Sequence, residues 1–225
     1  MWKTITAALL AVAPVVTVQA QEDNTRGFYW GLGAGQATLD ADKHDIDNTV
    51  IAAYNSAGAT VLDGHSDFDR NDVTYGVTVG YQVLPYLAFE ASYADLGTAS
   101  YTADGTVDIG GTPYDSHANI DFDAKGFGLS ALGILPFKTN WQVYARAGAF
   151  YSMIDTSASV RIDDQVGHSH DSSNSTDFMW GAGFGYHAGP WRTRLEYQSI
   201  TDVGDSGSIG EADVNRLLLS VTHTF

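Results

Sequence analysis

The 225-residue chain contains no cysteine and few basic residues. Without cysteine there is neither a disulfide framework nor thiolate chemistry, which in an exported protein favours a fold closed by hydrogen bonds alone. Only 11 Lys and Arg residues stand against 27 Asp and Glu residues, so the net charge is −16. A surface this acidic argues against nucleic-acid binding, because that binding needs clustered basic side chains to meet the phosphates.

Long apolar runs are also missing after the first 20 residues. No later stretch approaches the roughly 18 consecutive apolar residues that indicate a membrane-spanning helix. The rest of the chain can therefore cross a membrane only as a closed β-barrel, since lipid offers no partner to unpaired backbone groups. The glycines alternate along strands and do not open a helix, so no phosphate-binding loop is predicted.

The first 20 residues have the organisation of an export signal. The basic residue Lys3 precedes an apolar run that Pro14 interrupts, and the small-residue sequence V-Q-A ends the segment. The run is shorter than the roughly 20 apolar residues of a spanning helix. We therefore predict a signal peptide at residues 1–20, removed in the mature protein, and a single domain at residues 21–225.

The remaining chain shows a two-residue alternation of apolar residues with polar residues or glycine, which is typical of strands. Between Phe178 and Tyr186, for example, aromatic residues and alanine alternate mainly with glycine. Aromatic residues collect toward the strand ends, as the two interfaces of a bilayer require. Eight strands are predicted, at about residues 27–38, 69–83, 86–99, 121–135, 141–154, 178–186, 191–198 and 213–225.

The connections between these strands alternate in length. Three are short turns that contain proline, and four are longer and polar, at about residues 39–66, 100–119, 155–176 and 202–212. This asymmetry predicts an all-β fold, an eight-stranded antiparallel up-and-down transmembrane β-barrel with short periplasmic turns and long extracellular loops. Phe122 and Lys125 break the alternation near the loop end of the fourth strand, which predicts a bulge or a strand end there.

A soluble barrel of lipocalin type is the other fold that fits eight alternating strands. Its apolar face lies inside the barrel. The interior would then hold the bulky aromatic residues, while the opposite face, lined with glycine, would face water. That arrangement and the terminal Phe225 favour the transmembrane barrel.

Three segments carry a family resemblance, namely G-Y-Q-V-L-P-Y-L-A-F-E-A-S-Y-A-D-L-G, R-L-E-Y-Q-S-I-T-D-V-G-D and the ending L-L-L-S-V-T-H-T-F. With them the mature chain resembles the OmpA-like transmembrane barrels of the Gram-negative outer membrane. The resemblance implies contact with outer-membrane lipid and lipopolysaccharide, and it implies that Phe225 is part of the signal read by the barrel-assembly machinery. The sequence ends at the barrel, so no periplasmic peptidoglycan-binding domain is expected. We expect a monomer.

Six charged residues occupy strand positions whose side chains are predicted to point into the barrel, and they are Glu90, Arg146, Arg192, Arg194, Glu196 and Arg216. A basic residue on the lipid face at mid-membrane costs about 2–4 kcal/mol, which explains why these charges share the inner face. In a nearly dry lumen they have to pair, and we expect Glu90 or Glu196 to pair with Arg146 and Arg194. The resemblance implies a network that is either a purely structural core or a plug or gate for a small conductance.

Histidines raise an enzymatic alternative, a lipid A-modifying enzyme of the deacylase type, which is also an eight-stranded outer-membrane barrel. Such an enzyme uses a serine, a histidine and an acid near the outer leaflet. Here His168, Ser169 and His170 fall in the third polar loop without an evident fixed acid, and His187 and His223 lie near the periplasmic rim. A nucleophilic serine needs a base within reach and a third group to orient that base. No catalytic residues are therefore predicted.

Acidic residues concentrate in the first and last predicted loops, and they are Asp40, Asp42, Asp45, Asp47, Asp202, Asp205, Glu211 and Asp213. Their oxygens suit Ca²⁺ or Mg²⁺, but neither loop has the spacing of an EF-hand. We predict no metal site and no cofactor, and a solvated surface that shares divalent ions with lipopolysaccharide. The sequence therefore predicts an integral outer-membrane protein with a structural or surface-interaction role, at most a narrow gated pore, and loops for an extracellular ligand.

Overall fold

The computed structural model describes residues 26–203 and 212–225, which form nine strands and one helix. The strands are β1 (Gly27–Asp40), β2 (Ala59–Asp69), β3 (Asn71–Leu84), β4 (Leu87–Ile109), β5 (Thr112–Lys138), β6 (Trp141–Ile162), β7 (Gln165–Ala188), β8 (Trp191–Val203) and β9 (Ala212–Thr224). Helix α1 (Lys43–Ser56) lies between β1 and β2. Among these described elements, no helix is long and apolar enough to cross a membrane. The predicted signal peptide lies outside the described residues.

Eight of the strands close into a ring through antiparallel pairs. The order around the ring is β4, β3, β1, β9, β8, β7, β6, β5, and β5 pairs back with β4. With β2 set aside, strands that follow one another in sequence are neighbours in the ring, and β1 pairs with β9 to close it. Closure leaves the ring without unpaired edges, the condition that lipid imposes on a sheet. The predicted eight-stranded up-and-down barrel is confirmed.

The ninth strand, β2, continues the position that β3 occupies beside β4, so it adds length to the wall without adding a strand to the ring. β3 pairs with β4 between Leu87 and Asp95, and β2 pairs with β4 farther along, between Ser100 and Ile109. The two strands follow each other with only Arg70 between them. The prediction of a single polar loop at residues 39–66 is therefore wrong, because α1 and most of β2 occupy it.

Helix α1 begins and ends on local signals. Asp42 is its N-cap, and the carboxylate accepts a hydrogen bond from the His44 amide at 2.9 Å. After the helix, Gly58 takes a left-handed backbone conformation with φ of 82°, which lets the chain turn away. Ile46 is the one residue of the helix that is buried. The helix has too little apolar periodicity to be predicted from sequence.

Two more predicted loops are paired strands. β4 and β5 meet at a tight turn formed by Gly110 and Gly111, with φ of 64° and 90°, and β6 and β7 meet at Asp163 and Asp164. We call the two hairpins, at residues 98–121 and 153–176, the ribbons. The end of the barrel that carries them is the ribbon end, and the other is the turn end. The prediction of loops at residues 100–119 and 155–176 is wrong, since paired strands occupy both segments, and the first of them buries Tyr101, Val107 and Ala118.

β5 runs without interruption, so the bulge or strand end predicted at Phe122 and Lys125 is also wrong. Phe122 points into the barrel, as Gly126 and Gly128 do, and it lines the lumen near the ribbon end. Phe122 points inward like these glycines, and the alternation in the sequence breaks only because the lumen lining changes from polar to apolar near the ribbon end. The register shift lies in the facing strand β4, next to Gly97.

The two faces of the ring differ in composition, as a barrel in lipid requires. Large apolar side chains point outward, and Leu129, Phe178 and Trp141 are 68%, 57% and 45% exposed. On the inner face, glycines make room for bulky neighbours. A methyl group added at Gly183 would lie 2.8 Å from the ring of Tyr144 and also against the Leu195 carbonyl.

We predict that Gly183→Ala destabilises the barrel by about 1–3 kcal/mol, because an added methyl group overpacks a filled interior. The matched control is Gly133→Ala, since a Cβ at the outward-facing Gly133 meets nothing within 4 Å. Urea titration in lipid vesicles, followed by the electrophoretic shift between folded and unfolded barrel, measures both. Equal midpoints for the two variants would contradict the assignment of Gly183 to a filled lumen.

Candidate functional site

A layer of charged side chains crosses the middle of the lumen. Glu90 comes from β4, Arg146 from β6, and Arg194 and Glu196 from β8. Each of the four is 6% exposed or less. Because β4 and β8 stand opposite each other in the ring order, a contact between them spans the barrel.

Glu90 is the residue that joins the two sides. One of its carboxylate oxygens lies 2.5 Å from Arg194 Nη1, and the other lies 2.5 Å from Arg146 Nη2. Arg146 also donates to Glu196 through Nε at 2.7 Å and to the Ser130 hydroxyl at 3.1 Å. The expected residues therefore do pair, with Arg146 on both carboxylates and Arg194 on Glu90.

Two tyrosines complete the layer, and the sequence analysis did not single them out. Tyr29 donates its hydroxyl to Glu90 Oε1 at 2.6 Å, and Tyr144 donates to Glu196 Oε2 at 2.9 Å. Arg194 lies between their rings, with its guanidinium carbon 5.2 Å and 5.5 Å from the two centroids. The sequence did contain a signal for them. Both tyrosines occupy inward-pointing positions on strands whose other inward positions include glycine, and a large polar side chain at such a position has to lie in the narrow lumen.

The other two arginines flank the layer and make no ion pair among the described residues. Arg216 donates to Gln198 Oε1 at 2.7 Å, and Arg192 donates to Gln82 Oε1 at 3.2 Å. Their guanidinium groups also approach the rings of Phe150 and Tyr29. Four guanidinium groups thus face two carboxylates, so this set of six residues carries a net charge of +2.

Apolar layers lie on both sides of the charges. Toward the turn end, Tyr29 and Tyr144 pack with Leu132 and Ile134, and toward the ribbon end a second cluster centres on fully buried Phe150, Met179 and Ile200. The cavity left within the charged layer is about 40 Å³. A space of this size holds a very few water molecules. The described side chains therefore leave little free space in the lumen at this height.

The histidines of the third predicted loop lie on strand β7, not in a loop. Ser157 of β6 and His170 of β7 face each other on the outer surface of a ribbon, with 3.2 Å between Oγ and Nδ1. The nearby carboxylate of Asp121 accepts from Ser100 and Asn119. No carboxylate among the described residues hydrogen-bonds to His170, so the pair lacks the orienting acid of a catalytic triad.

The acidic residues near the ribbon end have oxygens suited to a divalent cation. In the part of the chain that the structure describes, no group of three or more His, Asp or Glu residues could hold a metal ion. Asp205 and Glu211 lie outside that part.

Comparison with known proteins places this geometry in a family. The model of the OmpA-like transmembrane domain matches residues 21–225. Outer membrane protein A of Escherichia fergusonii is 29% identical over 228 residues, and the protein of that name from Salmonella typhi is 31% identical over 229 residues. Both alignments cover 100% of this chain but only 56% of the relative, so the chain spans about half the length of these relatives.

Solved structures of small outer-membrane barrels are also similar. Neisserial surface protein A has a TM-score of 0.49 at 16% identity, with 88% of this chain and 97% of that one covered. The N-terminal barrel domain of Pseudomonas aeruginosa OprF has a TM-score of 0.46 at 13% identity, with 89% and 99% covered.

We predict that Glu90→Gln lowers the free energy of unfolding by about 3–5 kcal/mol, because it removes the carboxylate that pairs with buried Arg194 and one of the two carboxylates that pair with buried Arg146. Lys125→Gln is the control, since its ion pair with Asp155 at 3.2 Å is about 40% exposed and is worth less than about 1 kcal/mol. Urea titration of both variants in vesicles is the measurement. A loss for Glu90→Gln as small as that of the control would contradict the pairing.

Proposed function

This chain belongs to the family of OmpA-like transmembrane domains and lies in the bacterial outer membrane, and from that premise we propose a non-enzymatic structural and surface-interaction role with a charge-gated lumen. The barrel acts as a rigid anchor. Glu90, Arg146, Arg192, Arg194, Glu196 and Arg216 form the plug that limits any conductance. We further propose that the protein is a monomer and that residues 1–20 direct its export.

The charged layer is the observation that supports a gate in preference to a uniformly apolar plug. Its central pair, Glu90 and Arg194, joins opposite walls of the ring at 2.5 Å. Two arginines beside it, Arg192 and Arg216, have only neutral hydrogen-bond partners among the described residues, and we propose that one of them is an alternative partner for Glu90. Such an exchange between two ion-paired arrangements is a two-state element that could open a narrow path.

The ribbons support the surface role. They continue the strands roughly ten residues beyond the outward-facing Tyr151, which corresponds to about 30 Å of extended chain. Because their backbones are paired, they present side chains on a rigid support, as recognition surfaces commonly do. We propose that they meet lipopolysaccharide sugars and extracellular ligands. The isolated Ser157 and His170 pair has no orienting acid, so the deacylase alternative gains little from it.

We predict that Arg146→Ala raises the open probability or the conductance of the refolded barrel in a planar bilayer. The substitution removes the guanidinium that holds both Glu90 and Glu196. Single-channel recording at the same protein load compares the variant with the wild type and with Lys125→Gln, whose charge lies outside the plug.

Discrete wild-type openings that change in Arg146→Ala, and not in the control, support the gate. A silent bilayer for all three folded proteins, or identical openings in all three, would overturn it and leave the structural and surface role alone.

Phe225 is the residue that we propose the barrel-assembly machinery reads. It is 74% exposed, and its ring stacks edge-on against His223 at a centroid distance of 5.5 Å. We expect Phe225→Ala to reduce the amount of folded, heat-modifiable barrel in outer-membrane fractions several-fold, and to reduce it more than Glu90→Gln does. Equal yields from the two variants would contradict an assembly role for Phe225.

A further inference from the structure

A separate cavity of about 530 Å³ lies at the ribbon end of the lumen. Its floor is the apolar cluster that covers the charged layer, and Leu39, Ala124 and Ile154 pack against that cluster and line the cavity. The volume falls in the range of small-molecule sites, which is about 300–1,000 Å³. The plug does not need this space, because the layers beneath it already leave little free space in the lumen.

Helix α1 completes the cavity wall and is firmly attached. Its Ile46 is 4% exposed and lines the cavity. The next residue, Asp47, accepts hydrogen bonds from Tyr101 at 2.6 Å and from Ser66 at 2.7 Å, and it forms an ion pair with Lys43 at 3.1 Å. Burial alone would raise the pKa of Asp47, but these donors together lower it below its ordinary value. The wall is therefore preformed.

The rim of the cavity is acidic. Among the residues that the structure describes, five aspartates line it together with one arginine, and the aspartates are Asp40, Asp42, Asp45, Asp72 and Asp171. The arginine, Arg70, is directed to the ring of Phe68, 5.6 Å from its centroid. The carboxylates of Asp40, Asp45 and Asp171 are exposed to solvent. An anion such as a lipid phosphate would be repelled at this rim, whereas a cation would be attracted.

We propose that this mouth cavity binds a small organic cation with an apolar body. The apolar body of the ligand occupies the space over Leu39, Ala124 and Ile154, where it is shielded from water. The cationic group stays at the rim among the exposed carboxylates, within reach of the Phe122 ring, which also lines the cavity. The inference deepens the proposed surface role by naming a ligand class, and it does not depend on whether the lumen conducts.

The test uses the full refolded barrel in nanodiscs of zwitterionic phosphatidylcholine and two water-soluble probes of similar size. Benzyltrimethylammonium carries the predicted charge, and 3-phenylpropionate carries the opposite one. We expect saturable calorimetric binding of the cation, at least about tenfold tighter than any binding of the anion. Raising the salt concentration should weaken it, because the exposed rim charges are screened. Empty nanodiscs control for partition into lipid.

Two variants separate the body of the site from its rim. Ala124→Phe fills the cavity floor and should abolish binding, and Asp40→Asn combined with Asp171→Asn should weaken the cation about tenfold while leaving the barrel folded. Asp67→Asn, whose carboxylate is 86% exposed and lies away from the cavity, should change nothing. Heat-modifiable migration verifies folding of each variant.

Three results would overturn the proposal: no saturable binding of the cation, equal binding of the two probes, or binding that survives both the filled floor and the neutralised rim. None of them bears on the plug, which the conductance recordings test separately.

Discussion

The ion pair between Glu90 and Arg194 is the constraint around which the rest of the barrel is arranged. It joins opposite walls of an eight-stranded ring at 2.5 Å, with both side chains buried. A charge in a narrow lumen surrounded by lipid is not solvated by bulk water, so it needs a partner of opposite sign within ion-pair distance. The second pair of Glu90, with Arg146, and the hydroxyl of Tyr29 follow from the same need. The inward glycines follow as well, because bulky arginines and tyrosines fit only where the facing positions are small.

This charged layer divides the lumen into two regions with different properties. Toward the turn end, side chains such as Tyr29, Leu132 and Tyr144 pack against one another and fill the space. Toward the ribbon end, the lining becomes apolar and the strands continue past the ring, which leaves a walled cavity under an acidic rim.

The sequence predicted those parts of the structure that lipid dictates. The eight strands of the ring and the inward charges such as Glu90 and Arg146 could be located because the lipid face must be apolar, and this produces a two-residue alternation. Where water surrounds the chain, that signal disappears. Helix α1 buries only Ile46, and the ribbons bury scattered residues such as Tyr101 and Val107 without a continuous apolar alternation, so both were predicted to be loops. Phe122 was misread because the lumen itself becomes apolar at that height. The contact of Ser157 with His170 depends on strand register, which composition alone does not reveal.

A double-mutant cycle on the pair that spans the lumen tests the central claim most directly. The free energies of unfolding of the wild type, Glu90→Gln, Arg194→Met and the double variant would be measured in the same lipid vesicles. If the two side chains hold the walls of the ring together, their coupling energy should reach at least about 1.5 kcal/mol, the lower end for close buried charge pairs. Losses that add within about 0.5 kcal/mol would show two independent residues and contradict the account.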